Sequence, residues 1–290
     1  MKNKSKFFLM AGGIGNQLFI LAAGAYYSCQ NNENVIFDFS SHKNGMTKHG
    51  SDIRSLNPAV SFRNRPYRFI AKAGMKRFSN WDFFPTYTSR LVGYDPALEN
   101  HILENQIFGY FQTHRYLDHP RVRNIIDSLY LGSTSDWFDE CSSEMLNLPT
   151  ISVHIRRGDY MNLKDSFGVL SEEYYNSAIR FILENSSTKY ARVLVFSDDI
   201  AVAKQLVCNL ETSLPVQFAE PPKNNPDESL MLMSQSDALI ISNSSFSWWA
   251  AQLGNKSKFV VCPSKWFRDM LDPEGLIPTE WHRQESQWEI

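Results

Sequence analysis

The run Asp237-Ala238-Leu239-Ile240-Ile241-Ser242-Asn243-Ser244-Ser245-Phe246-Ser247-Trp248-Trp249-Ala250-Ala251-Gln252-Leu253-Gly254 joins three structural signals end to end. Ala238 to Ser242 has the length and apolar character of one buried strand. Ser242, Asn243, Ser244 and Ser245 are residue types that cap helix N-termini. Phe246, Trp249, Ala250 and Leu253 then recur at the spacing of one helical face, and Gly254 stops the helix. Strand, polar turn and helix in succession make the repeating unit of a parallel α/β sheet. The turn also presents hydroxyls and backbone N–H groups at the positive end of a helix, which suits a phosphate. An ordinary capped helix reads the same way, so this run leaves the ligand open.

The same unit recurs upstream. From Thr150 to Arg157, Ile151, Val153 and Ile155 alternate with Ser152, His154 and Arg156, which is strand periodicity and puts His154 and Arg156 on one face. Gly158 ends the strand and Asp159 follows. Two arginines with His and Asp at a strand end suit an oxyanion or phosphate clamp, because guanidinium grips phosphate in a bidentate fork, and an internal Arg–Asp ion pair is the alternative. Leu170 to Glu184 reads as a helix, Ala191 to Phe196 as a buried parallel strand, and Ile200 to Val207 as a helix. Ser197-Asp198-Asp199 stands between the last two. One of these carboxylates can cap the helix. One can also accept the two adjacent N–H donors of guanine. Asp227 to Ser234 is a short helix, and Lys258 to Pro263 is the last strand. Trp266, Phe267, Trp281 and Trp288 mark a tail that packs back on the body.

The first half carries weaker signals. Lys6 to Ala11 reads as a strand, then Gly12-Gly13-Ile14-Gly15-Asn16-Gln17, then a helix to about Gln30 with Leu18, Leu21, Ala22, Ala25 and Tyr26 on one face. Glycine there lets a backbone approach a ligand. The dinucleotide fingerprint is incomplete, because Leu18 holds the third glycine position, although Asp38 ends a plausible second strand at Val35 to Phe39. Ser40 to Glu104 is basic (Arg54, Arg63, Arg65, Arg68, Lys72, Lys76, Arg77) with aromatics between, and reads as a solvated excursion or a sugar-acceptor surface. Gln106 to Thr113 reads as a strand, Arg121 to Ser143 as a helix, and Asn147 to Thr150 as a linker. The expected domains are 1–148 and 149–290.

The chain has 290 residues and a formal net charge of −2, which argues against a nucleic-acid binder. No run of about 18 apolar residues is present, so no membrane-spanning helix is expected. Phe7 to Ala11 is too short for a signal-peptide core. Cys29, Cys141, Cys208 and Cys262 lie far apart, and read as reduced core thiols of a cytoplasmic protein rather than disulfides or a zinc site. No Asp-x-Asp occurs, so no metal held by that motif is expected on a diphosphate. Arginines and helix dipoles would stabilise the leaving group instead.

The polar motifs all fall at carboxyl ends of strands, where α/β sheets bind ligands. Gly13-Ile14-Gly15-Asn16-Gln17-Leu18-Phe19, His154-Ile155-Arg156-Arg157-Gly158-Asp159-Tyr160, Phe196-Ser197-Asp198-Asp199 and Asn243-Ser244-Ser245-Phe246-Ser247-Trp248-Trp249 resemble, in order and spacing, the bacterial α1,2-fucosyltransferases. That resemblance implies a GT-B-like α/β fold, with two Rossmann-like domains whose parallel sheets face a central cleft. It implies inverting transfer of L-fucose from GDP-L-fucose to O2 of a terminal galactoside, without a cofactor or metal, in bacterial O-antigen or other surface-glycan synthesis. Arg156 would hold the β-phosphate, and His154 with Asp198 or Asp199 would face guanosine. Ser244, Ser245 and Ser247 would meet phosphate, with Asn243 and Phe246 beside them. Asn16 would lie near fucose, with Gly13, Gly15 and Gln17 in the same turn. Arg156, Asp159 and Asn16 are the catalytic candidates, and Asp159 and Asp165 stay open as the general base. The acceptor would be a galactose-ended oligosaccharide or lipid-linked glycan, reached from the cytoplasm with a peripheral membrane contact allowed. Two rival readings are an NAD(P)-dependent sugar-nucleotide reductase and a non-catalytic nucleotide-sugar or glycan binder.

Overall fold

The structure is a computed structural model that describes residues 5–39, 52–63, 85–223, 225–254 and 258–289. The chain divides into two compact units, residues 1–130 with 273–276 and residues 131–272 with 277–290. Each is built on its own parallel sheet.

In the first unit, β1 (Lys6–Leu9), α1 (Ile14–Asn31) and β2 (Val35–Asp38) follow one another as the alternation predicts. β3 (Ser61–Arg63), β4 (Thr86–Thr88) and β5 (Gln106–Phe108) complete a sheet of order β3-β2-β1-β5-β4, parallel at every pairing. Helix α1 is buried on more than its expected face: Leu18, Phe19, Ile20, Leu21, Ala22 and Ala23 are all inaccessible. A helix sunk this deep loses the amphipathic stripe of a surface helix. The strand expected from Gln106 to Thr113 stops at Phe108, and Phe111 has a φ of +52°. Pro273–Leu276 is counted with this unit, where the Gly275 carbonyl accepts from Thr113 Oγ1 at 2.9 Å.

The helix expected over Arg121 to Ser143 is two helices, α2 (Pro120–Asp127) and α3 (Asp136–Asn147). Residues 128–135, with Gly132-Ser133-Thr134-Ser135 at their end, separate them, and Ser135 caps α3 by accepting from the Phe138 N–H at 3.3 Å. The glycine and the run of capping hydroxyls are the break that the helical periodicity on either side concealed. α3 belongs to the second unit, where the Glu228 carboxylate accepts from the Ser135 N–H and hydroxyl, both at 2.7 Å.

The second unit continues with β6 (Thr150–Ile155), α4 (Glu172–Asn185), β7 (Arg192–Ser197), α5 (Ile200–Val207), β8 (Val216–Phe218), α6 (Pro226–Met233), β9 (Ala238–Ile240), α7 (Ser245–Gln252), β10 (Phe259–Pro263) and β11 (His282–Gln284). The sheet order is β11-β10-β9-β6-β7-β8, again all parallel. All six residues of β6 are buried, as a strand covered on both faces must be. Ile151, Val153, Ile155, Tyr174, Ile179, Val193, Val195 and Ile240 share one apolar core. Trp266, Phe267 and Trp281 are buried, and Trp288 packs on that core. The four cysteines are free, but only Cys262 is buried; Cys29 and Cys141 are half-buried and Cys208 is exposed. The core-thiol expectation therefore holds for one of them: Cys29 and Cys141 lie on partly exposed positions of α1 and α3, and Cys208 is the exposed C-cap of the helix Ile200–Val207. Most of the basic stretch, Arg65 to Arg77 with its aromatics, lies outside the described residues.

Candidate active site

The sheet order places β6 between β9 and β7, so the residues after these three strands become neighbours. His154, the fifth residue of β6, is 3 % exposed, and its Nδ1 lies 2.8 Å from Ser242 Oγ, just past β9. The His154 and Phe246 rings sit 5.4 Å apart, tilted by 32°. Burial, and then the charge of Arg156, push the His154 pKa down to about 3. The imidazole is thus neutral at physiological pH and serves as a hydrogen-bonding wall, not a cation.

Arg156 leaves the strand between two carboxylates. Its Nη2 donates to Asp159 Oδ1 at 2.6 Å, and its Nη1 lies 3.0 Å from Asp198 Oδ2. Its guanidinium stands 5.1 Å above the Tyr160 ring, and its buried Nε has no hydrogen-bond partner. A buried donor left open costs about 1–3 kcal/mol, which an arriving oxyanion would recover. Arg157 turns the other way, into the body, and is 1 % exposed. It donates to the Leu170 carbonyl at 3.0 Å and to Glu289 Oε1 at 2.6 Å. Its backbone N–H donates to Asp198 Oδ1 at 2.8 Å. Glycine at 158 is what admits Asp198: a Cβ there would lie 2.1 Å from Asp198 Oδ2.

Helix α7 begins beside this clamp. Ser244 is its N-cap and accepts from the Phe246 N–H at 3.4 Å. Ser247 is inaccessible, and its hydroxyl donates to the Ser244 carbonyl at 3.2 Å. Asn243 is also buried: its amide donates to the Phe167 and Gly168 carbonyls at 2.9 and 3.2 Å, while its own carbonyl accepts from Tyr160 Oη at 3.0 Å. Ser245 and Phe246 are half-exposed. Of the expected phosphate contacts in this run, Ser245 is half-exposed, while Ser244 and Ser247, with Asn243 beside them, are buried and build the turn itself. Asp199 caps α5, accepting from the Val202 N–H at 3.1 Å.

The Gly-rich turn belongs to the first unit. Gly12 has a φ of +72°, and a Cβ there would lie 2.6 Å from Asn16 Nδ2. Gly13 is the N-cap of α1 and half-exposed, whereas Gly15 is buried. Asn16 is half-exposed and accepts from Gln112 Nε2 at 2.9 Å. Gln17 is inaccessible, with its amide spent on the Gly12 carbonyl (3.0 Å) and the Ile53 N–H (2.9 Å). Gln17 therefore shapes the turn from within.

The second unit thus joins Arg156 to Asp159 and Asp198, and His154 to Ser242 and Phe246, with Asn243 to Ser247 at their side. Ser242, Gly158 and Tyr160 join them without having been singled out as site residues. Their signal was present in the quoted motifs, but only the folded turn after β6 aims Tyr160 at Asn243. Among the described residues, no group of three or more His, Cys, Asp or Glu is placed to hold a metal ion.

The buried, neutral His154 links stability to pH. Its folded-state value lies below the ordinary 6.5, so the unfolded chain binds more protons between the two values. The stabilisation is complete above the unfolded value and is lost as pH falls through it toward 3. As pH falls from 6.5 to 5, this group should lower wild-type stability by about 1 kcal/mol per pH unit. Denaturant melts of wild type and His154→Gln across that range test it. Parallel curves would remove the assignment.

The comparisons with known proteins bear on the family and the fold. The family model described as Glycosyl transferase family 11 matches residues 87–283. The chain is 29% identical over 302 residues to an α-1,2-colitosyltransferase of Escherichia coli, covering 96% of this chain and 98% of that protein. It is 34% identical over 171 residues to the O-antigen biosynthesis glycosyltransferase WbnK of Escherichia coli, covering 56% of this chain and 55% of that protein. Among solved structures, the fucosyltransferase NodZ from Bradyrhizobium superposes with a TM-score of 0.54 at 13% identity, covering 87% of this chain and 93% of that one. NodZ soaked with GDP-fucose gives 0.52 at 14% identity, covering 86% and 92%. At these identities the structural likeness is one of fold.

Proposed function

The chain belongs to glycosyl transferase family 11, and from that premise we propose that it transfers L-fucose from GDP-L-fucose to O2 of a terminal galactoside, with inversion, in bacterial O-antigen or surface-glycan synthesis. Family membership decides for a glycosyltransferase over the reductase and over the mere binder. The observation that carries the donor reading is Arg156, aimed from a strand's carboxyl end with a buried, unpartnered Nε. In the proposed reaction the bond from the anomeric carbon to the diphosphate breaks and GDP departs with the electron pair. The acceptor hydroxyl attacks the opposite face and gives its proton to a base, for which Asp159 and Asp165 are the candidates. Arg156 and the N-terminus of α7 would meet the diphosphate, and His154 and Phe246 would line the nucleoside side. The fold likeness to a fucosyltransferase and the relative's α-1,2 linkage support this reading.

A second reading differs only in the sugar. The relative that matches nearly the full chain carries colitose, so GDP-colitose is the rival donor. Among the described residues no helix is long and apolar enough to cross a membrane. A cytoplasmic enzyme working on a glycan at the inner membrane face fits the proposed role. The test is a panel of β-galactosides incubated with GDP-fucose or GDP-colitose, with and without EDTA, and scored by mass spectrometry. One fucosyl residue should be added, and addition should persist in EDTA because no Asp-x-Asp is available to bring a metal to the diphosphate. Transfer from GDP-colitose alone would reassign the donor. Activity abolished by chelation and restored by Mn²⁺ would overturn the metal-free expectation.

A further inference from the structure

The last described residues form a strap beside the clamp. Trp288 pairs with Leu170 in an antiparallel bridge. The Ser171 N–H donates to the Gln287 carbonyl and the Glu289 N–H to the Val169 carbonyl, each at 2.8 Å. Gly168, with a φ of +79°, makes room for this strap, since a Cβ there would lie 2.5 Å from the Trp288 ring. Arg268 Nη1 donates to the Glu289 carbonyl at 3.1 Å. The strap thereby carries the Glu289 carboxylate to the buried Arg157, where Nη2 donates to Oε1 at 2.6 Å.

Arg157 is a costly residue to bury without a counter-charge. Apart from the Leu170 carbonyl, Glu289 is the acceptor recorded for its guanidinium. Its other end governs the clamp: its N–H holds Asp198 Oδ1 while Asp198 Oδ2 holds Arg156 Nη1. A continuous run of contacts therefore leads from Glu289 through Arg157 and Asp198 to Arg156. We propose that Glu289 is a positioning residue for the transfer reaction, fixing the Arg157 peptide so that Asp198 and Arg156 are aimed at the leaving diphosphate. This rests on the reading of Arg156 as the leaving-group clamp.

The experiment compares wild type, Glu289→Gln, Arg156→Lys and the double variant. kcat and donor KM are measured on a galactoside, GDP affinity by calorimetry, and folding by thermal melt. Glu289→Gln should lower kcat about tenfold, the scale expected when a clamp shifts by a fraction of an ångström, with donor KM changed much less. In the Arg156→Lys background the same change should add little, because its effect passes through Arg156. Wild-type kcat in folded Glu289→Gln, or losses that multiply in the double variant, would overturn the proposal and leave Glu289 a stabilising anchor. If Glu289→Gln does not fold, Glu289→Asp, which keeps the charge on a shorter stem, is judged by the same two outcomes. Arg156→Lys alone reports on the clamp: wild-type turnover there would sink the underlying reading whatever Glu289 does.

Discussion

Arg156→Lys is expected to lower kcat by about 10²-fold or more, the range for losing one oxyanion donor, in a protein that stays folded. In the proposed reaction, negative charge grows on the leaving oxygen as the sugar–diphosphate bond breaks. A donor fixed at that oxygen stabilises the transition state more than the bound donor sugar. Arg156, the residue proposed for that part, is held by Asp159 at 2.6 Å, Asp198 at 3.0 Å and the Tyr160 ring beneath it. Those carboxylates offset its net charge, so its value lies in aimed N–H groups rather than in a diffuse positive field. Lysine keeps the charge and loses the planar fork that satisfies both carboxylates and an oxyanion together. Affinity for the proposed nucleotide-sugar donor should fall much less than kcat. Near wild-type turnover in folded Arg156→Lys would remove this residue from the centre of the chemistry.

The second large effect separates two adjacent carboxylates. Asp198→Ala should lower kcat by about 10²-fold, as misplacement of a reacting group by about an ångström does. Both Asp198 oxygens are committed to the clamp, one to the Arg157 N–H and one to Arg156 Nη1. Asp199→Ala should leave kcat close to wild type and cost about 1 kcal/mol of stability, the worth of an N-cap, because Asp199 caps α5. Calorimetry with GDP decides whether either also reads guanine. A carboxylate that accepts two base donors at a buried site costs about 2–5 kcal/mol of affinity when truncated. If Asp198→Ala loses that much GDP affinity while kcat at saturating donor is unchanged, Asp198 reads the base and the clamp assignment is wrong.

Much of the second unit was legible because its signals are local. The run Ala238 to Gly254 forms the strand, capped turn and helix that its spacing implies, and Ser244 is the N-cap. Alternation over Thr150 to Ile155 gave β6, and the apolar run before Ser197 gave β7. Strands β5 and β9 have three residues each but stood within longer predicted strand runs, whereas the three-residue strands β3, β4, β8 and β11 were not legible. So short a run carries too few residues for a period, and only pairing with a neighbour makes it a strand. The helix predicted across Gly132 failed for the opposite reason: two real helical periods flank a loop whose hydroxyls cap the second.

The candidate site divides along the same line. Residue type and strand position by themselves determined that His154, Arg156, Asp198 and Ser242 would stand at carboxyl ends of parallel strands, because periodicity and turn chemistry act over a few residues. Which of them touch was decided by the order β9-β6-β7, which differs from chain order. That order joins His154 to Ser242, 88 residues away, and sets Asp198 against the glycine at 158. It also turns Ser247 and Asn243 inward to build the turn. The same tertiary packing brings Glu289 to Arg157 across 132 residues. No local pattern encodes these pairings. A buried guanidinium must find a carboxylate, but its sequence says only that the need exists, and the packed sheet determines which carboxylate meets it.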